Sequence, residues 1–250
     1  MYDDLRGKVA LVTGGCRGLG REMVLALAAA GCDVVVTSRK VEACRAVAEL
    51  AGAAGVRAHV IGAHLGHWEE LDPLVDEAYD AFGRLDILIN NAGKSPLYES
   101  LTAVNEELFD SVLALNLKAP FRLGALCGAR MWAAGGGVII NVSSVIARDP
   151  APHALPYACA KAGLEALTVG LARAYAPLVR VNAIVPGAFR TDVSRAWTPE
   201  VVAHMEAATL AGRIGEPSEI APAALFLASD ASGYVNGALL TIDGGRVGMG

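Results

Sequence analysis

Residues 9 to 23 read VALVTGGCRGLGREM: a short apolar run ending at Thr13, a cluster of glycines, then the opening of a helical pattern. The glycines at 14, 18 and 20 follow the apolar run directly. Gly14 permits a tight turn, while Gly18 and Gly20 let backbone approach a pyrophosphate seated at the N-terminus of the following helix. The spacing is G-x-x-x-G-x-G rather than the more familiar G-x-G-x-x-G. A strand-to-helix turn would explain glycines by itself. Their position in the first such turn of the chain favours dinucleotide binding.

The same alternation continues outward. DVVVTS reads as a second strand, RAHVIGA as a third, LDILIN as a fourth, GVIINVSS as a fifth, VRVNAIVPG as a sixth and ALLTID as a seventh. Between them lie helical patterns: residues 18–31, VEACRAVAELAGAAG, WEELDPLVDEAYDAFG, a long region from Asn105 to Ala134, YACAKAGLEALTVGLARAYA and PSEIAPAALFLAS. Strands separated by helices of ten or more residues pair in parallel, with helices on both faces of the sheet. The strands are apolar nearly throughout, as a sheet buried on both sides requires. Residues 1–250 therefore read as one α/β, doubly wound Rossmann-type domain of about seven strands, without linker, repeat or low-complexity tract.

Composition narrows the partners. The 250 residues are 54% hydrophobic, enough to bury a large core without disulfides or metal. Net charge is −5 and no basic stripe is present, which argues against nucleic acid or an anionic membrane as partner. The N-terminus MYDDLRGKVA is acidic and polar, unlike a signal peptide, and runs such as MVLALAAA fall far short of the ~20 residues of a membrane span. Cys16, Cys32, Cys44, Cys127 and Cys159 are scattered without a CxxC, so free thiols in a reducing cytoplasm are expected. His64 and His67 stand three apart with His59 nearby, but no cysteine or carboxylate cluster accompanies them, and no metal site is expected.

Two further motifs complete a set. NNAG occupies 90 to 93, and in LPYACAKAG Tyr157 and Lys161 lie four apart, neighbours on one helical face. T-G-x-x-x-G-x-G, NNAG and Tyr-x-x-x-Lys, in that order and at these separations, resemble the short-chain dehydrogenase/reductase family, over about residue 5 to the IDGG at 242–245. The resemblance implies an oxidoreductase that uses a nicotinamide cofactor. Its members include NADP-dependent 3-oxoacyl reductases and sugar-acid dehydrogenases.

The end of the second strand bears on which cofactor. A domain that prefers NAD places Asp or Glu there for the ribose 2′-hydroxyl, whereas this chain has Ser38 and Arg39. A guanidinium grips a 2′-phosphate that a carboxylate would repel, and Arg17 in the glycine loop supplies a second cation. NADP(H) is favoured over NAD(H). After the third strand the family usually has an adenine-binding Asp, but His64 stands here; a neutral imidazole nitrogen also accepts such a bond. The resemblance adds Leu19, Leu65, Asn91, Ala92 and Gly93 to the cofactor surface, with Asn91 beside the adenosine and Asn90 bracing the sheet. VPGAFRTD resembles the family's P-G-x-x-x-T, so Pro186, Gly187, Phe189 and Thr191 would hold the nicotinamide carboxamide.

The reacting groups follow. A phenol with a reference pKa of about 10 is a poor acid–base group unless a nearby cation favours its anion, and Lys161 is placed to do that. By the resemblance, Lys161 also bonds the nicotinamide ribose. Ser144, thirteen residues before Tyr157, would bond the substrate oxygen and stabilise developing charge, with Ser143 structural. Asn116 matches the family asparagine that interrupts a long helix and holds a water in a proton relay. The catalytic set is thus Asn116, Ser144, Tyr157 and Lys161, acting on a secondary alcohol or ketone.

Residues 188–212 are the expected substrate loop, with Pro199 starting a short helix. Trp197, Met205 and Val193 are candidates for an apolar lid, and His153 lies between Ser144 and Tyr157. The substrate is a small molecule without a strongly anionic group; a 3-oxoacyl thioester and a polyol or sugar acid both stay open, because the fold hosts many chemistries. The rival reading is a non-catalytic NAD(P)-sensing protein, which typically lacks the tyrosine or lysine retained here. The resemblance and the apolar, alanine-rich central helices suggest a homotetramer.

Overall fold

Strand β1 (Val9–Thr13) is the third of seven in a fully parallel sheet of order β3-β2-β1-β4-β5-β6-β7. The other strands are β2 (Asp33–Ser38), β3 (Ala58–Gly62), β4 (Ile87–Asn90), β5 (Gly137–Val142), β6 (Val179–Pro186) and β7 (Leu239–Ile242). The computed structural model describes residues 2–192, 194 and 197–246. The seven strands match the seven apolar runs, and the fold is the doubly wound single domain expected from their alternation with helices.

Every residue of β1 is buried, yet the pleat still sorts them. Ala10 and Val12 face a core with Met23 and Leu27 of α1 (Gly18–Ala29), Val47 of α2 (Val41–Gly52) and Leu227 of α8 (Ala221–Ala228). Val9 and Leu11 face a second core with Leu74 and Val75 of α3 (Leu71–Phe82), Leu123 and Met131 of α5 (Ala119–Ala133) and Leu171 of α6 (Leu155–Tyr175). Each large side chain buried this way contributes about 1.5–3 kcal/mol. The two cores clamp the sheet from both sides.

Sequence order leaves β1 in opposite directions, through β2 to β3 and through β4 to β7. In such sheets ligands bind in the crevice beyond the strand C-termini at this switch point. The glycine loop after β1, NNAG after β4 and Ser144 after β5 all emerge there.

The long region from Asn105 is not one uniform helix. Asn105 caps α4 (Glu106–Leu113), its side chain accepting from Leu108 N at 2.8 Å, and a π-helical turn at Ala114–Lys118 then leads into α5. The buried Asn116 lies in that turn and its Nδ2 donates to Val112 O at 2.9 Å, taking up a carbonyl that the backbone ladder would use. The polar residue in an apolar helix is the cause of the interruption. Pro199 does begin a helix, α7 (Pro199–Ala207), with Thr198 Oγ1 accepting from Val201 N. No helix among the described residues is long and apolar enough to cross a membrane.

Candidate active site

The glycine loop is built for close approach. Gly14 and Gly18 have φ of +65° and +51°, the left-handed region that favours glycine. A Cβ on Gly20 would collide with the Gly14 carbonyl oxygen and come within 2.5 Å of Asn91 Nδ2. Arg17 precedes α1 in extended conformation and its side chain does not cap the helix, whose first turn holds no acid. The helix N-terminus therefore presents donors and positive dipole to an anion. A pyrophosphate fits this cradle.

Thr13, which the glycine pattern passes over, fastens the loop to its neighbour. Its Oγ1 donates to Ile89 O at 3.2 Å and accepts from Asn91 N and Ala92 N at 2.9 and 3.1 Å. The Asn91 side chain donates to Thr13 O and Gly14 O at 2.9 and 3.2 Å, so it stitches the glycine turn beside the expected adenosine position. Asn90 braces the sheet, donating to Asn141 Oδ1 at 2.9 Å, and Asn141 donates in turn to Thr168 Oγ1 on α6 at 2.9 Å.

At the end of β2, Ser38 Oγ accepts from Lys40 N at 3.0 Å and from the Cys44 thiol at 3.2 Å, bending the chain so that Arg39 is exposed. Many arginines are engaged by carboxylates: Arg57 by Asp33, Arg84 by Asp86, Arg122 by Asp72, Arg213 by Glu219. Among the described residues, Arg17 and Arg39 have no carboxylate partner. Arg39 Nη1 instead lies 3.2 Å from His64 Nε2. The imidazole expected to accept from adenine thus has its Nε2 in contact with Arg39. Leu65, next to it, is buried. Lys94, not anticipated from sequence, belongs to the same side: burial and the neighbouring Arg39 charge hold its ammonium below the usual lysine range.

On the other wall stand the groups expected to react. Lys161 is 2% exposed and its Nζ donates to Val142 O at 2.7 Å, 5.5 Å from the centroid of the Tyr157 ring. Ser144 Oγ accepts from Ile146 N at 3.4 Å, and its hydroxyl pulls the pKa of the half-buried Tyr157 down. Ser143 Oγ donates to Glu165 Oε1 at 3.2 Å, and Arg148 Nε donates to Glu165 Oε2 at 3.1 Å, tying the loop after β5 to α6. Asn116 completes the floor: Oδ1 accepts from Lys94 N at 3.3 Å and Nδ2 donates to Lys94 O at 2.9 Å. A Cβ on Gly93 would stand 2.7 Å from Asn116 Oδ1 and 3.7 Å from Lys161 Nζ, so the glycine keeps open the space between them.

Lys161 was expected to favour the Tyr157 phenolate and draw its pKa toward 7. Burial instead pushes Tyr157 up to about 12, with the Ser144 hydroxyl pulling the other way, and brings Lys161 down to about 7. Desolvation disfavours the charged form of both groups. Tyr157 is therefore protonated at neutral pH.

The segment after β6 approaches the glycine loop, where a Cβ on Gly18 would lie 3.4 Å from Thr191 Cγ2. Phe189 is buried against Gly215, and a Cβ on Gly187 would lie 2.7 Å from the Asp243 Cβ, with Pro186 ending β6. Arg190 pairs with Glu206 of α7 at 2.7 Å, anchoring that helix. An open cavity of about 510 Å³ lies here, lined by Arg17, Gly18, Arg190 and Thr191 among others, on the phosphate side rather than at Tyr157. Trp197 and Met205 are half-buried and His153 is exposed; among the described residues none hydrogen-bonds to Ser144, Tyr157 or Lys161. Val193 lies outside the described residues. No group of histidine, cysteine or carboxylate side chains able to hold a metal occurs among the described residues.

A glycine loop facing a Tyr-Lys pair across a Rossmann crevice fits the class of dinucleotide-dependent oxidoreductases. Comparison with known proteins narrows the class. A family model described as enoyl-(acyl carrier protein) reductase matches residues 14–246. The chain is 41% identical over 244 residues to an uncharacterized oxidoreductase of Mycobacterium tuberculosis, covering 96% of this chain and 92% of that one. It is 39% identical over 258 residues to the 3beta-hydroxysteroid dehydrogenase 1 of Eggerthella lenta, covering 98% and 95%. A solved 7 alpha-hydroxysteroid dehydrogenase, complexed with NADH and 7-oxo glycochenodeoxycholic acid, superposes with a TM-score of 0.93 at 35% identity, covering 98% and 97%. The chain belongs to the short-chain dehydrogenase/reductase family and is an oxidoreductase of that family.

Proposed function

We propose that the protein transfers hydride between NADP(H) and the carbon of a secondary alcohol or ketone, with Tyr157 as general acid and base. The observation that carries this reading is the half-buried Tyr157, one helical turn from a buried lysine that is fixed on Val142 O and has its Nζ 5.5 Å from the Tyr157 ring centroid. NADP(H), when bound, supplies or accepts the hydride at its nicotinamide ring. The chain's residues do the rest. Gly14, Gly18 and Gly20 hold the pyrophosphate, and Thr191 with Phe189 orients the carboxamide. Ser144 positions the substrate oxygen. Tyr157, kept protonated by its burial, donates to that oxygen in the reductive direction. Lys161 uses one N–H on Val142 O and retains two for the ribose and the proton path past Gly93.

Arg39 and Arg17, exposed cations without carboxylate partners, support the 2′-phosphate reading. The 7 alpha-hydroxysteroid neighbour was solved with NADH, so the fold does not choose the phosphate; the side chains after β2 do. The five free thiols fit a reducing, cytoplasmic setting. An apolar groove of about 380 Å³ lined by Leu101, Phe109, Leu155 and Cys159 lies on α4 and α6 and supports assembly, for which sedimentation should give a tetramer.

The test is NADPH oxidation screened across ketosteroids, ketoses and 3-oxoacyl thioesters. One class should be turned over, and Tyr157→Phe should lose at least about 1,000-fold of that rate. Near-normal turnover by the variant would remove Tyr157 from the chemistry.

A further inference from the structure

We propose that His64 is a positioning residue for Arg39, and through it strengthens the preference for a 2′-phosphorylated dinucleotide. The proposal rests on the reading of Arg39 as the phosphate-binding cation. A guanidinium only donates, so the Arg39 Nη1 contact at 3.2 Å requires a lone pair on His64 Nε2. The ring is neutral in this arrangement, with its proton on Nδ1.

Four contacts fix that ring. The His64 backbone N–H donates to Glu70 Oε2 at 2.6 Å. The imidazole stacks on His67 at 3.9 Å between centroids and 24° between planes, and His67 Nδ1 is held 3.0 Å from Glu70 Oε1. Beneath it, a Cβ on Gly66 would come 3.0 Å from His64 Cε1, so the glycine gives the ring its seat. The fourth contact is Arg39 itself. The seat carries a cost, because His64 Nδ1 is buried without a partner. The placement serves Nε2, and Nε2 serves Arg39.

A long side chain beside the ribose position otherwise loses rotamer freedom each time it closes on a phosphate. His64 removes part of that loss beforehand by holding the guanidinium on a rigid seat. The family's usual carboxylate at this position would neutralise Arg39 and compete with the phosphate for it. A neutral imidazole holds the guanidinium without cancelling its charge.

The experiment is a fluorescence titration of NADPH and of NADH into the wild type, His64→Ala, His64→Gln, Arg39→Ala and the double variant. His64→Ala should weaken NADPH about five-fold and leave NADH within about two-fold, a difference that general loosening of the loop would not produce. His64→Gln, which can return an acceptor oxygen near the Nε2 position, should recover most of the loss. In the Arg39→Ala background, His64→Ala should add nothing to the NADPH loss. Equal weakening of both cofactors, or an undiminished effect without Arg39, would overturn the positioning role while leaving Arg39 as the phosphate ligand. Failure of Arg39→Ala itself to discriminate between NADPH and NADH would overturn the phosphate reading and this proposal with it.

Discussion

The wall of the crevice after β1 and the wall after β5 meet at one site and are made of different material. After β1 the surface is backbone: glycines at positive φ, the open N-terminus of α1, and a threonine and an asparagine spent on holding the loop. After β5 it is side chain: Lys161 on a strand carbonyl, Tyr157 beside it, Asn116 threaded into a helix. A backbone surface binds by shape and dipole and tolerates changes of side chain, but not an added Cβ. A buried polar surface carries charge and protons, and each group must keep its partner. The contrast separates binding from chemistry, and substitutions on the two walls should fail in different ways.

Gly20→Val tests the backbone wall and has the largest expected effect. The new side chain has no room between Gly14 and Asn91, so NADPH affinity should fall by roughly 100-fold or more, with turnover lost in step. Titration against the wild type checks it; unchanged affinity would mean the loop does not seat the pyrophosphate.

Lys161→Met tests the other wall and should cost about 100-fold or more in turnover. It also carries a pH signature. Lys161 has a folded value of about 7 against 10.5 in the unfolded chain. Between those values the unfolded state binds the extra proton, so folding stability from this group rises with pH from about 7 to about 10.5. Melting curves of Lys161→Met across that window should be flatter than those of the wild type. Equal slopes would show the ammonium to be solvated.

Asn116→Ala should act more mildly. It strands the Lys94 amide and two carbonyls, at a cost of about 1–3 kcal/mol in stability. Activity should drop by about ten-fold through the displaced floor of the site. Smallest is Arg148→Ala. Its exposed pair with Glu165 is worth no more than about 1 kcal/mol by denaturant titration.

The same contrast explains what the sequence disclosed. The backbone wall was legible because glycine spacing is a local code: Gly14, Gly18 and Gly20 imply the loop whatever surrounds them. The seven strands were legible from the alternation of apolar runs with helical patterns. The chemistry wall was legible only as residue types. That Lys161 bonds Val142 O, nineteen residues away, follows from the seating of α6 on β5 and from no spacing rule. The upward push of burial on Tyr157 went unread for that reason, since desolvation by the assembled core is invisible in the nine residues of LPYACAKAG. Thr13, Lys94 and the Arg39–His64 contact went unread because each joins segments far apart in the chain.

The most direct test of separate binding and chemical walls is an NADPH titration of Tyr157→Phe, run on the same preparation whose turnover is measured. The account predicts a dissociation constant within about two-fold of wild type while turnover is gone, since the lost hydroxyl belongs to the chemistry wall alone. A variant that loses NADPH binding together with turnover, or keeps both, would contradict it.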